Sequence, residues 1–246
     1  MAITRSQLVK ELEPGLNALF GLEYKRYENE HEEIFSIETS DRAFEEEVML
    51  TGFGSAPVKT EGAGVAYDTA LESFTARYTH ETIAMAFALT EEAVEDNLYD
   101  RLSARYTKAL ARSMANTKQV FAANIFNNGF STSYTGGDGQ PLFSATHPTQ
   151  TAGSQSNTVS VDLSETAIEN ALINISLYKD DRGILIGAQG QSLHIPPQLQ
   201  FIAERILKSP GRQGTADNDI NAMRNMGLLP KSYTVNHRFT DTNAWF

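Results

Sequence analysis

Asp138, Ser144 and His147 put an acid, a hydroxyl and an imidazole into one short stretch. Linked by hydrogen bonds, such a set makes the serine a nucleophile, with the imidazole as base and the carboxylate orienting it. The setting that exposes such a serine, Gly-x-Ser-x-Gly between a strand and a helix, is missing here. His80-Glu81 opens like a zinc-protease helix, but Ala84 stands where the second His is required. His31-Glu32 offers an acid/base or metal pair without a partner pattern nearby. Asp217, Asp219 and Asn221 copy the first three ligand positions of a calcium loop. Ala222 then replaces its glycine and Leu228 its bidentate glutamate, so Asp217 reads better as a helix cap. Gly183, Gly187 and Gly190 lack the dinucleotide spacing, and Gly136-Gly137-Asp138-Gly139 lacks the Lys and Ser/Thr of a phosphate loop. No pattern is complete. No catalytic, cofactor-binding or metal-binding residue is assigned, and no cofactor is expected. Cysteine is absent, which excludes disulfides and thiolate metal sites.

The elements that must carry any function are organised around Thr90–Gly129. No Gly or Pro interrupts it before Gly129. Val94, Leu98, Leu102, Tyr106, Leu110, Met114, Phe121 and Ile125 recur at helical spacing. At ~1.5 Å per residue this predicts a spine helix of ~58 Å over 90–128. Thr90 is its expected N-cap, followed by Glu91, Glu92, Glu95 and Asp96 at the positive dipole end. Gly129 is its expected left-handed stop. Such a helix is too long for one small core and should serve as a spine.

Charge is distributed unevenly. Residues 1–100 hold 21 acidic against 7 basic residues, a balance of −14, and residues 101–246 hold 10 against 13, a balance of +3. The acidic half argues against a direct grip on nucleic acid, which needs clustered Lys and Arg. No apolar run approaches the ~20 residues that span a bilayer, and no signal core opens the chain. The expected class is a soluble α+β protein.

Residues 1–35 read as an amphipathic helix on Leu8, Leu12, Leu16, Leu19 and Phe20, interrupted at Pro14-Gly15 and followed by a Glu-rich stretch. It is too polar to fold alone and should lie on another surface. Residues 44–89 read as a two-stranded excursion with a glycine-rich tip between Gly52 and Gly64. Its return strand alternates from Phe74 to Leu89. A lone hairpin of this length is marginal and needs a neighbouring surface. Residues 130–161 form a polar loop. Residues 162–246 alternate helix and strand, with a helix capped by Ser164 and carrying Ile168, Leu172 and Ile175, Ile184-Leu185-Ile186 and Ser192–Ile195 as buried strands, a helix from about Asp217 to Met226 capped by Gly227, and a last strand through Tyr233, Val235, His237 and Phe239.

The order of these parts, with Asp41-Arg42-Ala43-Phe44-Glu45-Glu46-Glu47, Tyr78-Thr79-His80-Glu81-Thr82, Leu142-Phe143-Ser144-Ala145-Thr146-His147-Pro148, Pro196-Pro197-Gln198-Leu199 and Gly214-Thr215-Ala216-Asp217-Asn218-Asp219-Ile220-Asn221, resembles the major capsid protein of tailed bacteriophages, the Hong Kong ninety-seven type fold. The resemblance implies an N-terminal arm at 1–43 and an extended loop at 44–78. It implies a peripheral domain at 79–161 with the spine helix, and an axial domain at 162–246. It implies a non-enzymatic shell protein that forms hexamers and pentamers of an icosahedral head around double-stranded DNA. Portal and decoration proteins would be partners, and no membrane is involved. The same resemblance places it in the virion, assembled in the host cytoplasm. An encapsulin-type compartment shell is the alternative. Glu45, Glu46, Glu47, Lys59 and Arg77 become candidates for contacts between subunits. Some relatives cross-link an extended-loop Lys to a neighbour's Asn. Lys59 sits near the tip, the Asn would fall beyond Phe246, and no cross-link is predicted. The family's returning C-terminal strand also has no counterpart after Trp245-Phe246, so either the sequence is cut short or the sheet beside the spine is completed otherwise. With Met1 at the start, no cleaved scaffold segment is expected, and a separate scaffolding protein is.

Overall fold

The computed structural model describes residues 9–88, 99–149, 151, 153–211 and 219–246, with side chains described from 16 and, after the second gap, from 103. The Thr90 cap, the acidic first turn after it, Leu8 and Asp217 lie outside the described residues. Contacts gather the chain into two compact units, Met1–Ile37 with Glu81–Ala122 and Glu38–His80 with Ala123–Phe246.

The first unit holds α1 (Val9–Lys25) and most of α2 (Tyr99–Asn127). α1 runs through Pro14-Gly15, where an interruption was expected. Proline's fixed φ is itself helical, so the turn can continue, at the cost of one backbone hydrogen bond and of the crowding of its ring against the carbonyl four residues back. The end of α1 and the acidic stretch after it both contact the spine helix of the same chain. Glu23 pairs with Lys108 Nζ at 3.3 Å. The Gln119 amide accepts from His31 N–H at 3.1 Å and donates to the Glu28 carbonyl at 3.3 Å.

The buried face of α2 is not the expected one. Ser103, Thr107, Ala111, Ala115, Gln119 and Ala123 are buried, while Tyr106, Phe121 and Ile125 are about half exposed. The buried set steps by four residues and is nearly all small. Small side chains let packed backbones approach, and the large apolar set is left on an adjacent face. Residues 80–88, expected to extend the return strand, join no ladder. Their large/small alternation is present in the sequence, but a strand needs a partner's hydrogen bonds, and no described residue of this chain supplies them.

In the second unit, β1 (Phe44–Leu50) and β2 (Glu72–Thr79) pair antiparallel from Phe44↔Thr79 to Val48↔Thr75, and then Leu50 faces Glu72. β2 therefore carries one extra residue, a bulge near Ser73-Phe74. The base of the connecting loop is closed by Thr51 N–H to the Leu71 carbonyl at 2.8 Å and Leu71 N–H to Thr51 Oγ1 at 2.7 Å.

The core is built from Leu163, Ile168, Leu193, Ile195, Leu199, Ala203, Leu207 and Met223, all within residues 162–246. α3 (Glu165–Ser176) starts where the Ser164 hydroxyl accepts from Ala167 N–H. α4 (Gln200–Lys208) follows a short turn at Pro197–Leu199. α5 (Ala222–Met226) is capped by Asn221 rather than by an earlier residue, and Gly227, at φ 61°, ends it in the left-handed conformation as expected. Ile184-Leu185-Ile186 is exposed rather than buried and makes only the single Lys179↔Leu185 bridge. The expected last strand is short: only Tyr233–Val235 pairs, parallel to Leu193–Ile195. On the other edge, Phe246 and His194 exchange both backbone hydrogen bonds, at 2.7 and 3.0 Å. The Phe246 ring closes a cluster with Phe126, Phe130, Phe143 and Phe239.

Gly129 ends α2 without a left-handed φ. Its backbone faces the Phe143 ring so closely that a Cβ would meet Phe143 Cδ2 at 2.5 Å. Glycine is needed there for space, not for φ.

Candidate functional site

The hairpin β1–β2 carries the five candidate contact residues. Facing residues of an antiparallel pair share one side of the ribbon. Glu46 and Arg77 are such a pair, and Arg77 Nε donates to Glu46 Oε1 at 2.7 Å while its guanidinium lies 4.4 Å from the Phe44 ring centre. Glu45 is engaged locally by the Ser40 hydroxyl and Arg42. Glu47 is exposed and lines a groove at the hairpin root, with Met49, Leu50, Phe74, His147 and Ile186 among its other walls. Lys59 is exposed near the tip and makes no ion pair among the described residues. Three of the five charges thus have partners within the hairpin and the segment leading into it.

The loop 130–161 is ordered by its own polar groups. The Asn157 side chain accepts from Ser144 N–H at 2.9 Å and donates to the Leu142 carbonyl at 2.8 Å. β3 (His147–Pro148) pairs with β4 (Ser154–Gln155). His147 Nδ1 meets Asp138 Oδ2 at 2.6 Å. An ionised carboxylate only accepts, so Nδ1 carries the proton. Burial pushes the Asp138 carboxyl up, but the His147 bond and the Gln140 N–H outweigh it and hold the group below its usual range. Two members of the suspected triad are therefore together, and the third is not. Ser144 Oγ contacts Gln140 Oε1 and Thr146 Oγ1, whereas His147 Nε2, the atom that would take its proton, is buried with no hydrogen-bond partner. The nucleophile-to-base link fails.

The loop of the hairpin is tied to residue 182 by an ion pair. Arg182 Nη2 bonds both oxygens of Asp68, at 2.8 and 3.0 Å. Asp68 is held below its usual range by Gly54 N–H and Thr69 N–H first, with Arg182 adding to them. Sequence reasoning missed this pair, because nothing local connects positions so far apart.

The remaining candidates carry no chemistry. His31 is buried and packs by its backbone against Gln119. Asn221 spends its amide on the Ile206 and Ser209 carbonyls. A Cβ at Gly190 would strike Leu172, so that glycine serves packing. Among the described residues no three His, Asp or Glu side chains are grouped to hold a metal, and no helix is long and apolar enough to cross a membrane.

The sequence model of the family described as phage capsid protein matches residues 73–246. This chain belongs to that family. The capsid protein has the fold of a chain of the bacteriophage JBD30 procapsid, with a TM-score of 0.62 at 15% identity over 95% of this chain and 99% of that one. A chain of the bacteriophage JBD30 capsid aligns with a TM-score of 0.60 at 11% identity, over 82% and 88%. No curated protein matches it significantly. The α+β mixture agrees with these relatives, and the capsid protein is structural rather than enzymatic.

Proposed function

We propose that this capsid protein tiles an icosahedral head as hexamers and pentamers and encloses double-stranded DNA. The observation that carries the reading is apolar surface that one copy leaves uncovered. On the hairpin loop Val58 is 94% and Tyr67 97% exposed, with Phe53 and Val65 also open. Tyr106, Phe121 and Ile125 repeat the pattern along α2. Monomeric proteins rarely leave so many large apolar groups uncovered on extended elements. Copies of the chain are the partners that family membership suggests.

In this reading residues 1–43 are the arm and 44–78 the extended loop. The peripheral domain spans 79–161 and the axial domain 162–246. Glu47 and Lys59 reach a neighbouring subunit. Glu45, Glu46 and Arg77 contribute there through the shape they give the ribbon. Scaffolding, portal and decoration proteins complete the head, which forms in the host cytoplasm. The acidic excess of residues 1–100 keeps packaged DNA from adhering where it faces inward.

The test is electron microscopy and sedimentation of the purified protein. Capsomers or closed shells are expected. A monodisperse monomer at high concentration overturns the reading.

A further inference from the structure

We infer that Asp138 and His147 are a positioning pair that sets the inclination of the extended hairpin, so that their loss alters the form of the assembled shell more than the stability of the subunit. The inference rests on the shell reading for its consequence, and on contacts within one subunit for its mechanism.

The contact with the hairpin is made by backbone. A Cβ at Gly137 would stand 2.7 Å from the Thr75 carbonyl oxygen and 3.0 Å from Ala76 N, both in β2. Nothing there can yield by changing a rotamer, so the place of Gly137 fixes the place of the ribbon. Gly137 lies in a tight turn, Gly136–Gln140. The turn is closed by Gly136 N–H to the Gln140 carbonyl at 2.8 Å, with Gly139 at φ 76°. Asp138 controls this turn from both carboxylate oxygens. Oδ1 accepts from Gln140 N–H at 3.0 Å, and Oδ2 holds His147 Nδ1 at 2.6 Å.

The pair is anchored in turn. His147 faces Gln155 across the β3–β4 ladder. The Gln155 amide donates to the Lys179 carbonyl at 2.9 Å and accepts from its N–H at 3.3 Å. Arg182, which grips Asp68 of the hairpin loop, stands in the same turn as Lys179. The hairpin is thus held at two places along its length, and both attachments end on residues 179–182. Two supports that share one footing define an angle, whereas one support defines a pivot. On the path from Gly137 to Lys179 the carboxylate–imidazole bond is the adjustable member, because it joins two side chains where the other links of that path are backbone contacts or backbone-anchored amides.

The test compares D138A and D138N with the parent chain. D138N keeps one oxygen for Gln140 N–H and sets its amide N–H opposite Nδ1, which accepts in the other tautomer of His147, so it serves as the conservative rescue and as the second variant if D138A does not fold. Hydrogen exchange on the unassembled subunit reads the mechanism. D138A should speed exchange of the β2 amides by tenfold or more with little change at Leu193–Ile195, and D138N should stay within a few-fold of the parent. Electron microscopy of assembled material reads the consequence. The parent should give uniform particles, D138A a spread of sizes or open sheets, and D138N the parental form. Unchanged β2 exchange in D138A overturns the inference, as does equal acceleration in the core strand. Uniform parental particles from D138A overturn the stated consequence. A parent that never assembles refutes the shell reading instead, and the exchange comparison still decides the mechanism.

Discussion

Gly129→Ala separates two reasons for a glycine at the end of a long helix, and they predict opposite signs. If Gly129 were a flexible helix terminus with room around it, alanine would stabilise by about 0.4–1 kcal/mol through a less mobile unfolded chain. The structure removes that room. The new methyl would stand 2.5 and 2.6 Å from Phe143 Cδ2 and Cε2 and 3.0 Å from the Phe126 carbonyl. The Phe143 ring cannot retreat freely, because it packs on Phe126, Phe130 and Phe246 with centroids 5.7, 5.0 and 4.9 Å away. Its backbone is also tied, Phe143 N–H donating to the Gly129 carbonyl at 2.8 Å. Overpacking of this kind costs about 1–3 kcal/mol. Disturbed ring pairs add about 0.5–1.5 kcal/mol each. Against the small gain from the unfolded state, the net effect is a loss of about 1–3 kcal/mol. For a chain of this size that lowers Tm by about 2–12 °C. Differential scanning calorimetry of unassembled subunits measures it, with near-ultraviolet circular dichroism to follow the aromatic cluster. A Tm equal to or above that of the parent refutes the steric argument.

Further predictions follow from the same geometry. Ile195, fully buried in the C-terminal core, should cost about 2–5 kcal/mol on replacement by alanine, read by urea unfolding. Asn221→Ala removes a helix cap and leaves the Ile206 and Ser209 carbonyls unpaired, so it should cost more than the ~1 kcal/mol of an ordinary cap, and Ser164→Ala should cost about that amount. Asp138 is held below its usual range, so its contribution is present above the unfolded value near 3.8 and is lost as pH falls through the lower folded value. The acid limb of a stability–pH profile should therefore flatten in D138N, and an unchanged limb would show that other carboxylates carry it. Ser144→Ala should leave folding and assembly intact, since its hydroxyl touches only Gln140, Thr146 and its own turn.

What the sequence made legible was periodicity backed by a partner in the same chain. The 44–79 hairpin, the long helix, the Ser164 cap and the Gly227 stop all depend on local chemistry, and all are present. The failures have one physical origin. Tyr106, Phe121 and Ile125 of α2, most of the alternating residues 80–88 and Ile184-Leu185-Ile186 each carry a burial pattern that the described residues leave largely uncovered. The surface that would cover these residues is not among the described residues of this chain. At the candidate site the loop composition marked Asp138 and His147 but not what they do. Their link to the hairpin runs through the backbone of Gly137, and no side-chain pattern announces a backbone contact. The Asp68–Arg182 attachment spans 114 positions and had no local signal.

The extra residue in β2 near Ser73-Phe74 has a further consequence. An open ribbon with two free edges is a template on which identical ribbons can stack without limit. An irregular ladder bends the ribbon and breaks the even spacing of its edge groups, so a stray strand in register on one side of the break falls out of register on the other. The irregularity thereby guards the edges of this ribbon against open-ended stacking.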